Sequence, residues 1–389
     1  MKSILTTERL GARRAWARLT VATALAIAPL GAVAACGSSS SPTQYAPPQE
    51  HPDGGQTTGT TDGSGGISFL DGSQARTSCP AQPYGKQLTN IIYEVAKHMA
   101  APEGGALPRV DIPSPADRDK FGAQVLEALK FEGSEPCPLP PSYIVMSFVD
   151  GVDEVRLVGE LNKYGTAMPV RNWGAFAARR PGPGTRQLVV EAAHPLADAD
   201  TDQESARVFS ATRAEWYLIA GAHRCANAAV SGCDGTTAVC TPGMANPYRE
   251  SDTAHSAKTP FYGVHAALSA ATTAPFLQLH SNGQTCPTAL LSDCSGTFPE
   301  GGLTFTFGKA LEEAGVTVGR CGAGFPTAAC SLCGTDNVEA RFNAGAADSC
   351  TMQGTTYGRF VHLEQQPTLV STTGDQPLID AVRATFRPR

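Results

Sequence analysis

Basic residues are in deficit, with 30 Lys and Arg against 36 Asp and Glu, for a formal net charge of −6. Nucleic-acid binding needs clustered Lys and Arg to neutralise phosphates, so this balance argues against a nucleic-acid partner. Beyond residue 35 no apolar run approaches the length of a membrane span. There is no Gly-x-Ser-x-Gly elbow, and a serine nucleophile therefore lacks its usual strand–turn–helix setting. Cys330-Ser-Leu-Cys333 has no second Cys-x-x-Cys to complete a zinc ribbon. No internal repeat is found, which sets aside solenoid and propeller architectures.

What is present begins with an export signal. Lys2, Arg9, Arg13, Arg14 and Arg18 face a single acid, Glu8, and residues 19–35 carry no charge. A basic start, a short apolar stretch and small residues before the cut are the parts of a signal peptide, expected over 1–35. Pro29 and Gly31 interrupt the stretch, so it suits cleavage better than spanning. Val33-Ala34-Ala35-Cys36 resembles the bacterial lipobox, which makes Cys36 the expected lipidation site. The implied location is the cell envelope, held by the lipid alone, and the outer membrane if the cell has one. The signal's five basic residues and one acid leave the rest of the chain at a formal charge of −10.

Residues 36–76 are rich in Ser, Gly, Thr, Pro and Gln, too poor in apolar surface to offset ordering entropy, and read as a flexible tether. Apart from Cys36, eleven cysteines remain. In an exported chain these read as a disulfide framework of at most five bridges, leaving one thiol over. The oxidising compartment disfavours a cysteine nucleophile.

From 77 to 389 the composition is that of one globular domain with elaborated loops. Leu88–Met99 and Asp117–Leu129 carry apolar residues at helical spacing, as do 201–212, 254–271 and 309–314. Strands are expected at 143–148, 187–190, 216–219, 276–279, 303–307 and 360–363. Alternating strands and helices with continuous apolar strands imply an α/β fold: a mixed, largely parallel central sheet with helices on both faces. The Gly- and Cys-rich stretches 228–250 and 321–358 read as long disulfide-stapled loops.

Chemistry concentrates where strands end, the place open α/β sheets put their sites. His194 follows the apolar run at 187–190, and Asp198 and Asp200 follow it; a metal pair and a solvated acidic turn both fit. His223, Arg224 and Asn227 follow the run at 216–219, and the planar fork of Arg224 suits a carboxylate. His280 closes the run at 276–279. His255 and His265, ten apart, could share a helical face, with His265 better suited to the core. His362 and Glu364 share one face of the last strand, where Glu364 is placed to act as a general base; a polar edge strand is the alternative.

The succession strand–His–Asp, strand–His–Arg, strand–His, strand–Glu resembles the zinc-dependent carboxypeptidase, aspartoacylase and N-formylglutamate amidohydrolase group over about residues 187–366. The resemblance implies zinc held by His194, Asp198 and His280, Glu364 as catalytic base, and Arg224 clamping a substrate carboxylate. Beside these, Asn227, His223 and His255 are candidate substrate contacts, with His223 or His255 steadying an oxyanion, and the run 334–343 resembles a substrate-facing loop of such enzymes in which Asn337 and Arg341 would be contacts. Three residues separate His194 from Asp198 where the peptidases have two, which leaves Asp200 in competition and favours the amidohydrolase side. The expected activity is hydrolysis of an amide beside a carboxylate, in an acyl-amino acid, a peptide or a cell-wall fragment. The alternative is a non-catalytic surface lipoprotein binding a ligand or partner on a degenerate hydrolase scaffold. Two-metal phosphoesterase chemistry fits the acidic chain and compact ligand set less well.

Overall fold

Eleven strands form one sheet in the computed structural model, which describes residues 82–83, 87–102, 110–131, 139–160, 171–241, 243–297, 299–371 and 374–389. The expected signal peptide, tether and lipidation residue Cys36 lie outside these residues, as do Cys79 and Cys137. In chain order the strands are β1 (Gln82–Pro83), β2 (Ile144–Asp150), β3 (Asp153–Gly159), β4 (Ala175–Arg179), β5 (Arg186–Ala192) and β6 (Ala214–Ile219). Two short strands, β7 (Thr236–Thr237) and β8 (Asn246–Pro247), pair separately as a ribbon. The main sheet continues with β9 (Phe276–Ser281), β10 (Ala289–Ser292), β11 (Val318–Cys321), β12 (Gly324–Phe325) and β13 (Phe360–Gln365).

The sheet order is β1-β2-β3-β4-β6-β5-β9-β13-β10-β11-β12. Strands β6, β5, β9 and β13 run parallel at its centre, β2-β3-β4-β6 are joined antiparallel, and β10 is antiparallel to β13. The stretch before residue 186, which lies outside the family resemblance, thus supplies the antiparallel wing, with β2 falling on the strand expected at 143–148.

Both faces of the sheet are covered. Helices α1 (Leu88–Lys97), α3 (Thr201–Thr212), α5 (Leu303–Glu313) and α8 (Gln376–Thr385) pack Ile91, Phe209, Phe307 and Leu378 onto Val190, Leu277 and Val361. On the opposite face α2 (Pro115–Leu129), α4 (Pro260–Ala271) and α6 (Val338–Asn343) pack Phe121, Val264 and Ala340 with Val189, Phe276 and Phe360. A short α7 (Pro367–Val370) follows β13. Burial on two faces explains why the central strands read as continuous apolar runs rather than alternating ones. The α2 and α4 starts are sharp for a local reason: Ser114 and Thr259 accept hydrogen bonds from the N–H groups of Asp117 and Tyr262, each just ahead of a proline in the first turn.

Two sequence expectations are corrected. Residues 303–307 are not a strand but the start of α5, and the helical pattern at 309–314 is its continuation. The five-residue alternation Leu-Thr-Phe-Thr-Phe is incidental, because the buried positions Thr304, Phe307, Gly308 and Leu311 follow a helical period. The helix expected over 254–271 is broken: His255 ends a single 3-10 turn (Thr253–His255), and α4 restarts at Pro260, so His255 and His265 share no helical face.

The loops are stapled by Cys225–Cys240, Cys233–Cys350, Cys286–Cys330 and Cys321–Cys333. Both cysteines of Cys330-Ser-Leu-Cys333 are therefore oxidised to partners elsewhere, and Cys294 is a buried free thiol.

Candidate metal centre

The sheet register brings the polar residues together. On the face covered by α4 and α6, Val189, Phe276 and Phe360 form an apolar row across β5, β9 and β13. Two residues further on, Glu191 pairs with Gln278 and Gln278 with His362; two more, and His280 stands beside Glu364. One face of three adjacent parallel strands thus turns from apolar to ionisable towards its carboxyl end, and the loop after β5 adds His194 and Asp198.

His194, Asp198 and His280 converge, each with a potential ligand atom within 4.8 Å of the others. Both rings are held on the side away from the carboxylate as well. His194 donates from Nε2 to Asp252 Oδ1 at 2.8 Å, and its Nδ1 has no hydrogen-bond partner and lies 3.4 Å from Asp198 Oδ2. His280 lies between two acceptors, with Nε2 2.9 Å from Gln278 Oε1 and Nδ1 hydrogen-bonded at 2.9 Å to the same Asp198 oxygen. Gln278 is fixed in turn, donating to Glu191 and accepting from Asn337 Nδ2. Burial lowers the His280 pKa to about 4 against the pull of Asp198. Burial would raise Asp198, but His194 and His280 outweigh it and hold the carboxyl well below its usual range.

Asp252 is the hub behind His194. It is fully buried and also accepts from His255 Nδ1 at 2.9 Å and from Arg224 Nε and Nη2 at 3.0 and 2.6 Å. Burial opposes its charge, but Arg224, His255 and His194 together keep it ionised far below the ordinary carboxyl range. Two of the three Arg224 nitrogens therefore face a protein carboxylate, whereas the sequence pattern implies a fork open to substrate. His255 lies between Asp252 and Asp336, with the Tyr248 ring stacked on it at 3.8 Å. Burial disfavours its charge, yet the two carboxylates raise its pKa to about 9.

Glu364 lies beside this cluster on β13, an interior strand between β9 and β10 rather than an edge. Asn282 Nδ2 donates to its Oε2 at 3.1 Å. Burial first, then Asp198, raises its pKa to about 8. His223 is half-buried, with Nδ1 accepting from the Cys225 N–H at 3.0 Å, so its proton resides on Nε2.

Other expected contacts are tied up structurally. Asn227 Oδ1 accepts from the Ala229 N–H, Asn337 caps α6, and buried Arg341 donates to the Thr335 and Cys350 carbonyls. Asp200 is exposed at the start of α3, and Asp198 is the buried acid of the pair. His265 is a core residue bonded to Glu191 at 2.7 Å. Asp252, Gln278 and Asn282 escape the sequence reading because nothing local marks them, although Asp252 does lie three residues before His255.

The fold and cluster define an α/β protein with buried His and carboxylate groups able to hold a metal ion at the carboxyl ends of its central strands. No protein-family model matches the chain, and neither does any curated protein. Among solved structures, similarity is found to the N-formylglutamate amidohydrolase of Ralstonia eutropha JMP134, at 16% identity and TM-score 0.30, covering 54% of this chain and 95% of that one. A carboxypeptidase A candidate from Shewanella denitrificans OS-217 aligns at 13% identity and TM-score 0.33, over 63% and 64% of the two chains. A metallopeptidase candidate from Shewanella amazonensis SB2B aligns at 12% and 0.26, over 70% and 90%. Likenesses of this strength carry no argument about activity, which rests on the geometry of the chain itself.

Proposed function

We propose that this protein is a zinc-dependent hydrolase of amide bonds, acting on an acyl-amino acid, a peptide or a cell-wall fragment at the cell envelope. One observation carries the reading: His194, Asp198 and His280 each bring a ligand atom within 4.8 Å of the others, and His194 Nδ1, aimed at Asp198, is buried without a hydrogen-bond partner. Two imidazoles and a carboxylate are a zinc donor set, and the edge of a tetrahedral zinc site with bonds of about 2.0–2.1 Å is about 3.4 Å. The 3.4 Å between His194 Nδ1 and Asp198 Oδ2 matches that edge, while His280 Nδ1 and the same oxygen stand at a hydrogen-bond distance of 2.9 Å. Asp252 and Gln278 are the outer partners that orient ligating histidines.

When bound, zinc polarises a carbonyl and makes water acidic enough to act near neutral pH. Glu364 is the group to move the proton: Asn282 holds Oε2, leaving Oε1 to accept a proton from the attacking water and deliver it to the nitrogen of the breaking C–N bond. His223, with its proton on Nε2, is a neutral donor for the carbonyl oxygen. Arg224 takes a different role from the one its sequence context implies, steadying Asp252 and through it His194. Location at the envelope rests on the N-terminal sequence and Cys36.

Metal analysis and turnover test the proposal together. The purified protein should contain one tightly held zinc, lose hydrolysis of N-acyl-amino acids or peptides on chelation, and regain it with zinc. Glu364→Gln should keep the zinc and lose turnover. Comparing each substrate with its carboxamide analogue measures whether a free carboxylate is required. Absence of stoichiometric zinc, or unchanged turnover in Glu364→Gln, would refute the assignment.

A further inference from the structure

His362 is a buried imidazole beside the proposed base, and the proposed mechanism gives it no role. It is 4% exposed on β13, two residues before Glu364 and on the same strand face, in register with Gln278 of β9 and Ser292 of β10. The ring is hemmed in. A Cβ on Gly334, which has φ +58°, would stand 3.1 Å from both Cδ2 and Cε1, so that backbone packs on the ring, and the His280 ring lies 4.7 Å away between centroids.

The surroundings decide which nitrogen carries the proton. Nδ1 is sealed from solvent and has no hydrogen-bond partner, so a proton there would be a buried donor without an acceptor. Nε2 is not sealed and faces Glu364 Oε1 at 3.6 Å. The proton therefore belongs on Nε2, and the unpartnered Nδ1 is a bare lone pair, which is the less costly orphan. At 3.6 Å the two groups are too far apart to hydrogen-bond each other, which leaves one donor and one acceptor side by side for a third group.

Their spacing suits one kind of partner. Glu364 Oε1 hands its proton to the leaving nitrogen at hydrogen-bond distance, about 2.8 Å. When that nitrogen belongs to an α-amino acid, the oxygen of the neighbouring carboxyl or peptide carbonyl lies about 3 Å from it. Nitrogen and oxygen so spaced can meet Oε1 and Nε2 together. Arg224, the carboxylate clamp implied by the sequence pattern, has Nε and Nη2 turned to Asp252 instead.

Building on the hydrolase reading above, we propose that His362 is a specificity residue whose Nε2–H donates to the carboxylate or peptide carbonyl oxygen beside the leaving nitrogen. It thereby selects amides of α-amino acids over amides of simple amines.

The test assays the zinc-loaded full chain on a panel of N-acyl-amino acids and dipeptides, each paired with an analogue in which hydrogen replaces the carboxyl group. Wild type should favour the amino-acid member by about tenfold in kcat/KM, chiefly through KM, as for one hydrogen bond made alike in ground and transition states. His362→Phe should bring that ratio close to one and keep its zinc; circular dichroism checks its fold, and His362→Ala is read in its place if it does not fold. Equal rates on both members in wild type, or an unchanged ratio in the variant, would overturn this role and leave the hydrolase standing. So would loss of zinc, or a kcat lowered by the same factor on both members, because either marks a purely structural part. No hydrolysis of any pair would overturn the hydrolase reading and this inference with it.

Discussion

Replacing Asp252 by Asn tests the centre at its most connected point. The carboxylate accepts from His194 Nε2, His255 Nδ1 and two nitrogens of Arg224, at 2.6–3.0 Å, while fully buried. An amide of the same shape offers one oxygen where the carboxylate offers two. If that oxygen turns to Arg224, the amide NH2 faces His194 Nε2, which must then become an acceptor. The His194 proton moves to Nδ1, the nitrogen aimed at Asp198, and the ligand lone pair is lost. If the oxygen turns to the histidines instead, Arg224 is left buried with no anion. Losing one partner of a buried ion pair costs about 3–5 kcal/mol, and losing an outer partner of a ligating histidine lowers metal affinity by about 10–100-fold. A domain of this size should melt roughly 10 °C lower. Differential scanning calorimetry measures the first effect, and zinc competition against a chromogenic chelator the second. A melting point within about 2 °C of wild type, with zinc affinity within about twofold, would refute the argument that Asp252 organises the site.

Other changes separate the remaining claims. Asp198→Asn should abolish stoichiometric zinc, whereas Asp200→Asn, at an exposed position whose side chain makes no capping bond, should leave zinc and stability within about 0.5 kcal/mol of wild type. Glu204 is fully buried beside Gln365, and burial raises its pKa from 4.5 to about 8 despite the Gln365 bond. The folded chain therefore holds more protons than the unfolded chain between those values, so stability should fall as pH rises through that window, by on the order of a few kcal/mol. Glu204→Gln should flatten that dependence in denaturant titrations at pH 5, 7 and 9. Removing Cys286–Cys330, which bridges a separation of 44 residues, as a double Ser variant should cost about 4 kcal/mol of stability by chain entropy, measured by chemical denaturation.

Legibility in the sequence followed the range of the interactions. Helix α3 coincides with the expected 201–212, because its signal is a local period. The central strands were readable because burial on both faces leaves continuous apolar runs. The window 303–307 misled because five residues can satisfy two periods at once, and only the extension to Leu311 decides between them. Of the antiparallel wing before β5, β2 was expected at 143–148 but β3, β4 and the pairing were not legible, since pairing across a sheet leaves no mark within either strand.

The sequence by itself determined the types and order of the chemical groups: histidines and acids at the ends of apolar runs, a late His-x-Glu on one strand face, and more cysteines than a reducing compartment would favour. It also holds the basic and apolar N-terminal pattern ending at Cys36 on which the proposed envelope location rests, a linear feature that needs no fold. The tertiary structure alone decided the partners. Asp252 meets His194 across 58 residues and Arg224 across 28, and His280 meets Asp198 across 82. Which nitrogen of an imidazole stays open to a cation depends on what holds the other nitrogen, and that partner comes from another strand or loop. For the same reason the fork of Arg224 turned inward to a buried carboxylate, a choice no local spacing records.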